Sequence, residues 1–255
     1  VLKLDDFEMS YEQLDRAARG VARGLREQGI ETGDRVALLV PNVPEFTIAY
    51  FGILYAGATV VPINVLAAAP EVAYFIEDSG AKLLIAHPLF AEPGGEGAQQ
   101  AGVPCLVSSG EGDTLVALAQ GEPVSQLVST DATQTAVILY TSGTTGKPKG
   151  AELTHSNLFI NCAFVVPRLV PFEPDEQLVA VATLPLFHSF GQTCIQNATI
   201  AMGGMFSLLP RFSPEDAFEL MQRDGATLFA GVPTMYFGLL HHEGGERYDV
   251  SSLKY

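Results

Sequence analysis

Ten consecutive residues, Thr141-Ser142-Gly143-Thr144-Thr145-Gly146-Lys147-Pro148-Lys149-Gly150, hold three glycines, three threonines, a serine, two lysines and a proline. Glycine lets backbone N–H groups turn toward a ligand, hydroxyls add neutral donors, and lysines add positive charge. Together they suit a polyphosphate. The string is not the Gly-Lys-Ser/Thr phosphate loop, whose hydroxyl holds magnesium and opens a helix. Pro148 follows Lys147 here, so a turn is expected instead. A surface hairpin loop rich in Gly and Thr is the competing reading of the same composition.

His188 stands between Phe187 and Phe190 in the run Leu184-Pro185-Leu186-Phe187-His188-Ser189-Phe190-Gly191. Taken by itself, a single His in an apolar run reads as a hydrogen-bonded core residue. His241 and His242 are adjacent, and neighbours on a helix do not face one another, so they make no metal pair. Cys105, Cys162 and Cys194 lie far apart without CxxC spacing, which fits a reducing intracellular compartment and offers no metal or redox motif.

The elements that must position these residues follow from periodicity. Ser10-Tyr11-Glu12-Gln13 reads as a capping box, and Leu14, Ala17, Ala18, Val21, Ala22 and Leu25 recur at helical spacing up to Gly29. Arg16, Arg19, Arg23 and Arg26 fall off that stripe. Glu12 and Asp15 precede the first two by four residues, so an ion-paired solvent face is expected. Strands are expected at 35–40, 59–63, 82–86, 136–140, 178–184, 205–209 and 226–230. Helices are expected near 44–57, 70–80, 190–202 and 213–224. Strands alternating with helices predict an α/β fold of layered, largely parallel sheets covered by helices. The stretch from Leu83 to Gly146 has no Lys or Arg and six acids, and Ala91–Gln100 is expected as a surface loop. The chain thus divides into a first αβ segment (1–90), an acidic, loop-rich connection (91–130) and a segment (131–255) with the Gly/Thr/Lys loop and His188.

At 255 residues and 47% apolar content the chain can hold a core and is not intrinsically disordered. Its net charge of −15 argues against a nucleic-acid partner, although a few local cations still allow a nucleotide. The uncharged stretches Thr47–Pro70 and Gln177–Pro210 are broken by Gly, Pro, Asn, Gln or His, so neither reads as a transmembrane segment. Val1–Asp6 lacks a basic region followed by an apolar one, so no signal peptide is expected.

Tyr140-Thr-Ser-Gly-Thr-Thr-Gly-Lys-Pro-Lys-Gly150 resembles, over eleven continuous residues, the signature of the adenylate-forming (AMP-binding) superfamily. That superfamily comprises acyl-CoA synthetases, peptide-synthetase adenylation domains and beetle luciferases. Resemblance extends along nearly the whole chain. Ser10–Leu14 is similar to the family's opening helix, Gly33-Asp34-Arg35-Val36-Ala37 to its first strand, and Asp78-Ser79-Gly80-Ala81-Lys82 to a later helix-to-strand junction. Leu184–Gly191 resembles the second core motif, and Gly231-Val232-Pro233-Thr234 the stretch lining the acyl and pantetheine channel.

The resemblance implies two steps: a carboxylate attacks the α-phosphorus of ATP, then coenzyme A takes the acyl group from the adenylate. It places Ser142, Gly143, Thr144, Thr145, Gly146 and Lys147 on the β- and γ-phosphates, with Lys149 beside them and Thr141 as a Mg2+ ligand. It makes His188 a gate or wall between adenylate and acyl pocket rather than a general base. Phe190 becomes a pocket wall that Gln192, Thr193 and Cys194 continue, and Gly231–Thr234 become substrate-binding. The uncharged surroundings of His188 favour a medium- or long-chain fatty acid, with a small aromatic acid as the other choice.

Members of the family are about twice this length. Tyr255 precedes the family's Tyr-Gly-x-Thr-Glu motif, its ribose-binding Asp, its hinge and its small C-terminal domain. The expectation is an N-terminal part that is inactive alone, cytoplasmic or peripheral to a membrane, and self-associating through apolar surface left uncovered. An amino-acid adenylation domain is the alternative, but its pocket calls for an Asp that Gln177–Pro210 lacks. A naturally shortened, non-catalytic nucleotide- or acyl-binding module is the other.

Overall fold

The computed structural model describes residues 1–110, 112, 114–141, 146–172 and 176–255. Strands β1 (Leu2–Leu4) and β2 (Phe7–Met9) precede helix α1 (Tyr11–Glu27). Then come β3 (Arg35–Leu39), α2 (Pro44–Tyr55), β4 (Thr59–Pro62), α3 (Ala69–Ser79) and β5 (Ala81–Ala86). They are followed by α4 (Ala91–Ala101), β6 (Cys105–Val107), α5 (Leu115–Ala119), β7 (Thr135–Thr141) and β8 (Lys149–Thr154). Helix α6 (His155–Ile160) continues through a π-helical turn, Asn161–Val165, into α7 (Val166–Leu169). After β9 (Val179–Ala182), a π-helical segment, Phe190–Asn197, runs into α8 (Ala198–Ala201). The remaining elements are β10 (Met205–Leu208), α9 (Pro214–Asp224), β11 (Leu228–Phe229) and α10 (Pro233–Leu240). The chain forms two compact units, residues 11–41 with 45–157, and residues 1–10 and 42–44 with 158–255.

The unit of 11–41 and 45–157 is built on a six-stranded sheet of order β6-β5-β3-β4-β7-β8. All neighbours are parallel except the β7–β8 hairpin. Val36, Leu38, Val60, Val61, Leu84 and Ile85 are fully buried, as parallel strands with both faces covered must be, which is why they read as unbroken apolar runs. Helix α1 buries the expected stripe from Leu14 to Leu25, and its solvent face pairs Arg19 with Asp15 and Arg23 with Glu27, each at 2.7 Å.

Ala91–Gln100 is not a loop: it forms most of α4. Gly94 and Gly97, which read as loop residues, are contact points. A Cβ on Gly97 would lie 2.7 Å from Val72 Cβ and 2.8 Å from the Ala69 carbonyl, so only glycine lets α4 approach α3 this closely. Gly102, at φ 70°, then ends the helix in the left-handed conformation. The stretch 91–130 accordingly carries α4, β6 and α5 as well as loops.

The other unit holds a five-stranded sheet of order β11-β9-β10-β1-β2, parallel except for β1–β2. Helix α9 begins as the sequence indicates. The Ser213 hydroxyl accepts from the Asp216 N–H, Pro214 occupies the first turn, and Gly225 at φ 62° closes the end. Asp224, its last residue, has a side chain with no exposed surface. Its carboxylate meets Lys3 Nζ at 3.1 Å and Arg223 Nη2 at 2.8 Å, and accepts from the Ser207 hydroxyl at 2.6 Å. One carboxylate thereby ties α9 to β1 and β10, on which Lys3 and Ser207 are register partners. Burial pushes the Asp224 carboxyl up, but Arg223, Ser207 and Lys3 outweigh it and hold it below the usual carboxylate range.

Two outcomes test this packing. Gly97→Val should lower the stability of its unit by about 1–3 kcal/mol in urea titrations, through overpacking. The depressed Asp224 carboxyl contributes stability that is complete above its unfolded value near ~4 and disappears as pH falls through the lower folded value. Asp224→Asn should remove that component, so the variant's stability should be lower at pH 7 and converge toward wild type in acid.

Candidate functional site

The Gly/Thr/Lys string closes the β7–β8 hairpin. Ala136–Leu139 are buried, and the strand emerges from the sheet at Thr141, at its carboxyl end. Tyr140 stands opposite Gly150 and Thr141 opposite Lys149. Alternation along the strands therefore puts Thr141 and Lys149 on one face of the hairpin and Tyr140 with Gly150 on the other. Gly146 adopts φ 96°, a conformation other residues resist. Thr141, Gly146, Lys147 and Lys149 are all exposed. Ser142, Gly143, Thr144 and Thr145 lie outside the described residues. Gly150 is needed for a different reason: a Cβ there would meet Ile138 Cγ2 at 2.8 Å and the Tyr140 ring at 3.3 Å.

The two lysines are held differently. Lys147 Nζ lies 5.5 Å from the centroid of the Tyr74 ring, on α3, a cation–π distance. Lys149 leaves the hairpin on the Thr141 face. Both flank a turn that Gly146 opens with its positive φ, and their charge is able to neutralise an anionic ligand. Among the described residues no cluster of three or more His, Cys, Asp or Glu side chains could hold a metal ion. Thr141 offers one hydroxyl, which suits a Mg2+ ion whose remaining ligands are phosphate oxygens and water.

Two strings quoted from the sequence meet in this unit. Asp34 pairs with Lys82 at 2.8 Å. Arg35 donates to the carbonyls of Ser79 at 2.9 Å and Gly80 at 2.7 Å. Gly33–Ala37 and Asp78–Lys82 therefore work as one joint that caps the C-terminal end of α3, with a cation where the helix dipole favours one.

In the other unit, Leu184–Gly191 leaves the carboxyl end of β9, and Gly231–Thr234 leaves that of its parallel neighbour β11. Open parallel sheets bind ligands beyond these strand ends. The Thr183 hydroxyl bridges the two departures, donating to the Ala230 carbonyl at 3.3 Å beside the Met235 sulfur. Asn42 holds the first string in place: its Nδ2 donates to Ala182 and Leu184 carbonyls, both at 2.9 Å, and its Oδ1 accepts from Leu186 N at 2.8 Å. Gly191 packs onto the same turn, where a Cβ would sit 2.7 Å from the Leu184 carbonyl.

His188 follows a turn closed by its N–H to the Pro185 carbonyl at 3.0 Å, and its own carbonyl accepts from Gln192 N at 2.9 Å. It is exposed rather than a core residue, with the Phe187 ring 4.7 Å away between centroids. Partial burial of the imidazole lowers its pKa, so it is neutral at pH 7. Phe190 is 45% exposed. Val232, Pro233 and Thr234 are exposed and Gly231 half-buried. Gln192 and Thr193 are buried in the π-helical segment and Cys194 is half-buried. His241 does not pair with His242: its Nδ1 lies 2.9 Å from the Phe237 carbonyl and its ring stacks on Phe237.

Asn42, Tyr74 and Asp78 were not marked by sequence chemistry. Asn42 follows Pro41 and reads as a turn residue, because its partners lie 140 or more positions away. Asn42→Ala removes the side-chain partner of the buried Leu184 carbonyl and Leu186 N–H together, while the Ala182 carbonyl keeps the Leu209 N–H at 3.2 Å. It should destabilise its unit by about 2–4 kcal/mol in urea unfolding, with the His188 imidazole shift moving in NMR spectra.

Against known proteins, the chain is 38% identical to the feruloyl-CoA synthase of an Amycolatopsis species, over 96% of this chain and 48% of that protein. It superposes on ATP-bound MatB from Rhodopseudomonas palustris with TM-score 0.83 and 31% identity, covering 95% of this chain and 48% of the other. With the anthranilate CoA ligase AuaEII in complex with anthranoyl-AMP the TM-score is 0.92 at 25% identity, covering 99% and 49%. The chain spans about half the length of the curated relatives it matches. A family model described as AMP-binding enzyme matches residues 1–255. That match spans the hairpin loop and the strings at the strand ends alike, and the chain belongs to the AMP-binding enzyme family.

Proposed function

We propose that this chain supplies the phosphate-binding loop and the acid-binding side of a ligase that activates a carboxylic acid with ATP and passes it to coenzyme A. The observation that carries the reading is the β7–β8 hairpin, with Gly146 at φ 96° and Thr141, Lys147 and Lys149 exposed around its turn. In this reading a carboxylate oxygen attacks the α-phosphorus, the bond to the bridging oxygen breaks, and pyrophosphate leaves. The thiolate of coenzyme A then attacks the acyl carbon and AMP departs. Charge moves onto pyrophosphate in the first step, so fixed donors and cations lower its barrier without covalent chemistry.

Lys147, Lys149 and Gly146 take part of that charge, and Ser142, Gly143, Thr144 and Thr145 carry the rest. Thr141 would hold a Mg2+ ion together with the phosphates, and the ion would act there as a Lewis acid. Neutral His188 serves as a wall or gate between adenylate and acid, Phe190 lines the acid, and Gly231–Thr234 line the path of the thiol. The acid is apolar: a medium- or long-chain fatty acid fits the uncharged run from Gln177 to Pro210. Likeness to a feruloyl-CoA synthase favours a second reading, an aromatic acid.

No helix of the described residues is long and apolar enough to cross a membrane; in this reading the ligase is cytoplasmic or peripheral to a membrane. Phe159, Phe164, Leu169, Phe237 and Leu240 are exposed, which supports self-association of these 255 residues.

Acid-dependent exchange of labelled pyrophosphate into ATP, measured on the protein at its natural length, tests the reaction. Lys147→Ala should slow exchange by about 10²-fold or more, the cost of losing one charge-stabilising group. Exchange at the wild-type rate removes Lys147 from the phosphates. A panel of decanoate, palmitate, benzoate and ferulate separates the two acid classes.

A further inference from the structure

Both feet of the 141–148 turn are tied to a single helix. On the β7 side, the Tyr140 phenol donates to the Asp78 carboxylate at 2.7 Å. On the β8 side, the Tyr74 phenol donates to the Pro148 carbonyl at 2.8 Å. Tyr74 and Asp78 are four residues apart on α3 and so share one face of it. The Tyr74 ring also lies under the Lys147 ammonium, and Phe75 packs on Tyr140 at 4.7 Å between centroids.

These contacts do little for the core. Asp78 is exposed and sits in the last turn of α3, where the helix dipole disfavours a carboxylate. Tyr74 and Tyr140 are half-buried. The helix itself is fixed independently, by the Glu71 carboxylate accepting from Ala68 N at its start and by Gly80 and Arg35 at its end. A helix anchored at both ends thus presents two side chains that meet the ends of the turn and one of its lysines.

We infer that Tyr74 and Asp78 are positioning residues for the phosphate-binding loop, fixing where β7 ends and β8 begins and keeping the Lys147 ammonium beside the turn. The role rests on the polyphosphate reading of the loop given above. Donors held in place before the ligand arrives lose less freedom on binding, so the clamp acts on polyphosphate affinity more than on folding.

The test uses Tyr74→Phe, Tyr74→Leu, Asp78→Ala and Asp78→Asn in the protein at its natural length. Three readouts are taken: amide hydrogen exchange at Lys149, Gly150 and Ala151, affinity for inorganic pyrophosphate by calorimetry, and the urea midpoint. Tyr74→Phe keeps the ring and loses one hydrogen bond, so pyrophosphate should bind about 2- to 10-fold more weakly. Tyr74→Leu loses the cation–π contact as well and should bind about 5- to 50-fold more weakly, with faster exchange at the first rungs of β8. Asp78→Ala should follow the same direction, and Asp78→Asn, whose side-chain oxygen still accepts from Tyr140, should restore most of the loss. Urea midpoints should stay close to wild type throughout. Unchanged exchange in Tyr74→Leu overturns the clamp. Faster exchange with wild-type pyrophosphate affinity overturns the positioning role. A wild-type protein that binds no pyrophosphate overturns the phosphate reading itself, while the exchange rates still report on the clamp.

Discussion

The Arg35 guanidinium reaches from the edge of β3 to the last carbonyls of α3, 2.7 Å from Gly80 and 2.9 Å from Ser79. Next to it, Asp34 meets Lys82 at 2.8 Å. Gly80 makes the approach possible twice over. Its φ of 64° is a left-handed helix end, and a Cβ there would sit 2.5 Å from the guanidinium. This joint locks α3 to β3 and to β5, the strand that follows it. Because α3 carries Tyr74 and Asp78, the joint also fixes the helix against which the β7–β8 turn is set. The placing of the turn therefore rests on a contact between residues far from it in sequence.

The same division of labour holds in the other unit. His188 and Phe190 offer their side chains to solvent, while Asn42, Thr183 and Gly191 hold the backbone that presents them. Beyond the end of β9, Asn42 bonds the Leu184 carbonyl and the Leu186 N–H of an irregular turn, where an unpaired buried backbone group is costly. Glycine at 191 lets the π-helical segment begin directly against that turn. Strand ends of a parallel sheet are where such irregular backbone gathers, and Leu184–Gly191 and Gly231–Thr234 both follow one.

Electrostatics separate the surface from the site. A net charge of −15 is carried by helix faces and by the stretch from Leu83 to Gly146, which has acids and no lysine or arginine. Lys147 and Lys149 break that pattern directly after it. Partial burial lowers the pKa of His188, which favours a neutral ring in the second string.

The sequence by itself determined the layered, largely parallel α/β fold, most element positions and the family, because buried strands and amphipathic helices imprint their periodicity locally and the loop chemistry occupies one continuous string. Helix α1 with its ion-paired face and α9 with its Ser213 cap and Gly225 end were legible for that reason. Helix α4 was not, since Gly94 and Gly97 look like loop residues until the sheet is beside the one and α3 beside the other. Only the tertiary structure decided that Arg35 caps α3 and Asp34 pairs with Lys82 on β5, that Asn42 holds a turn 140 residues away, and that Tyr74 and Asp78 grip the ends of the β7–β8 turn. Each of those is a hydrogen bond or ion pair between distant positions. Its energy depends on three-dimensional placement, which no local run of residue types encodes.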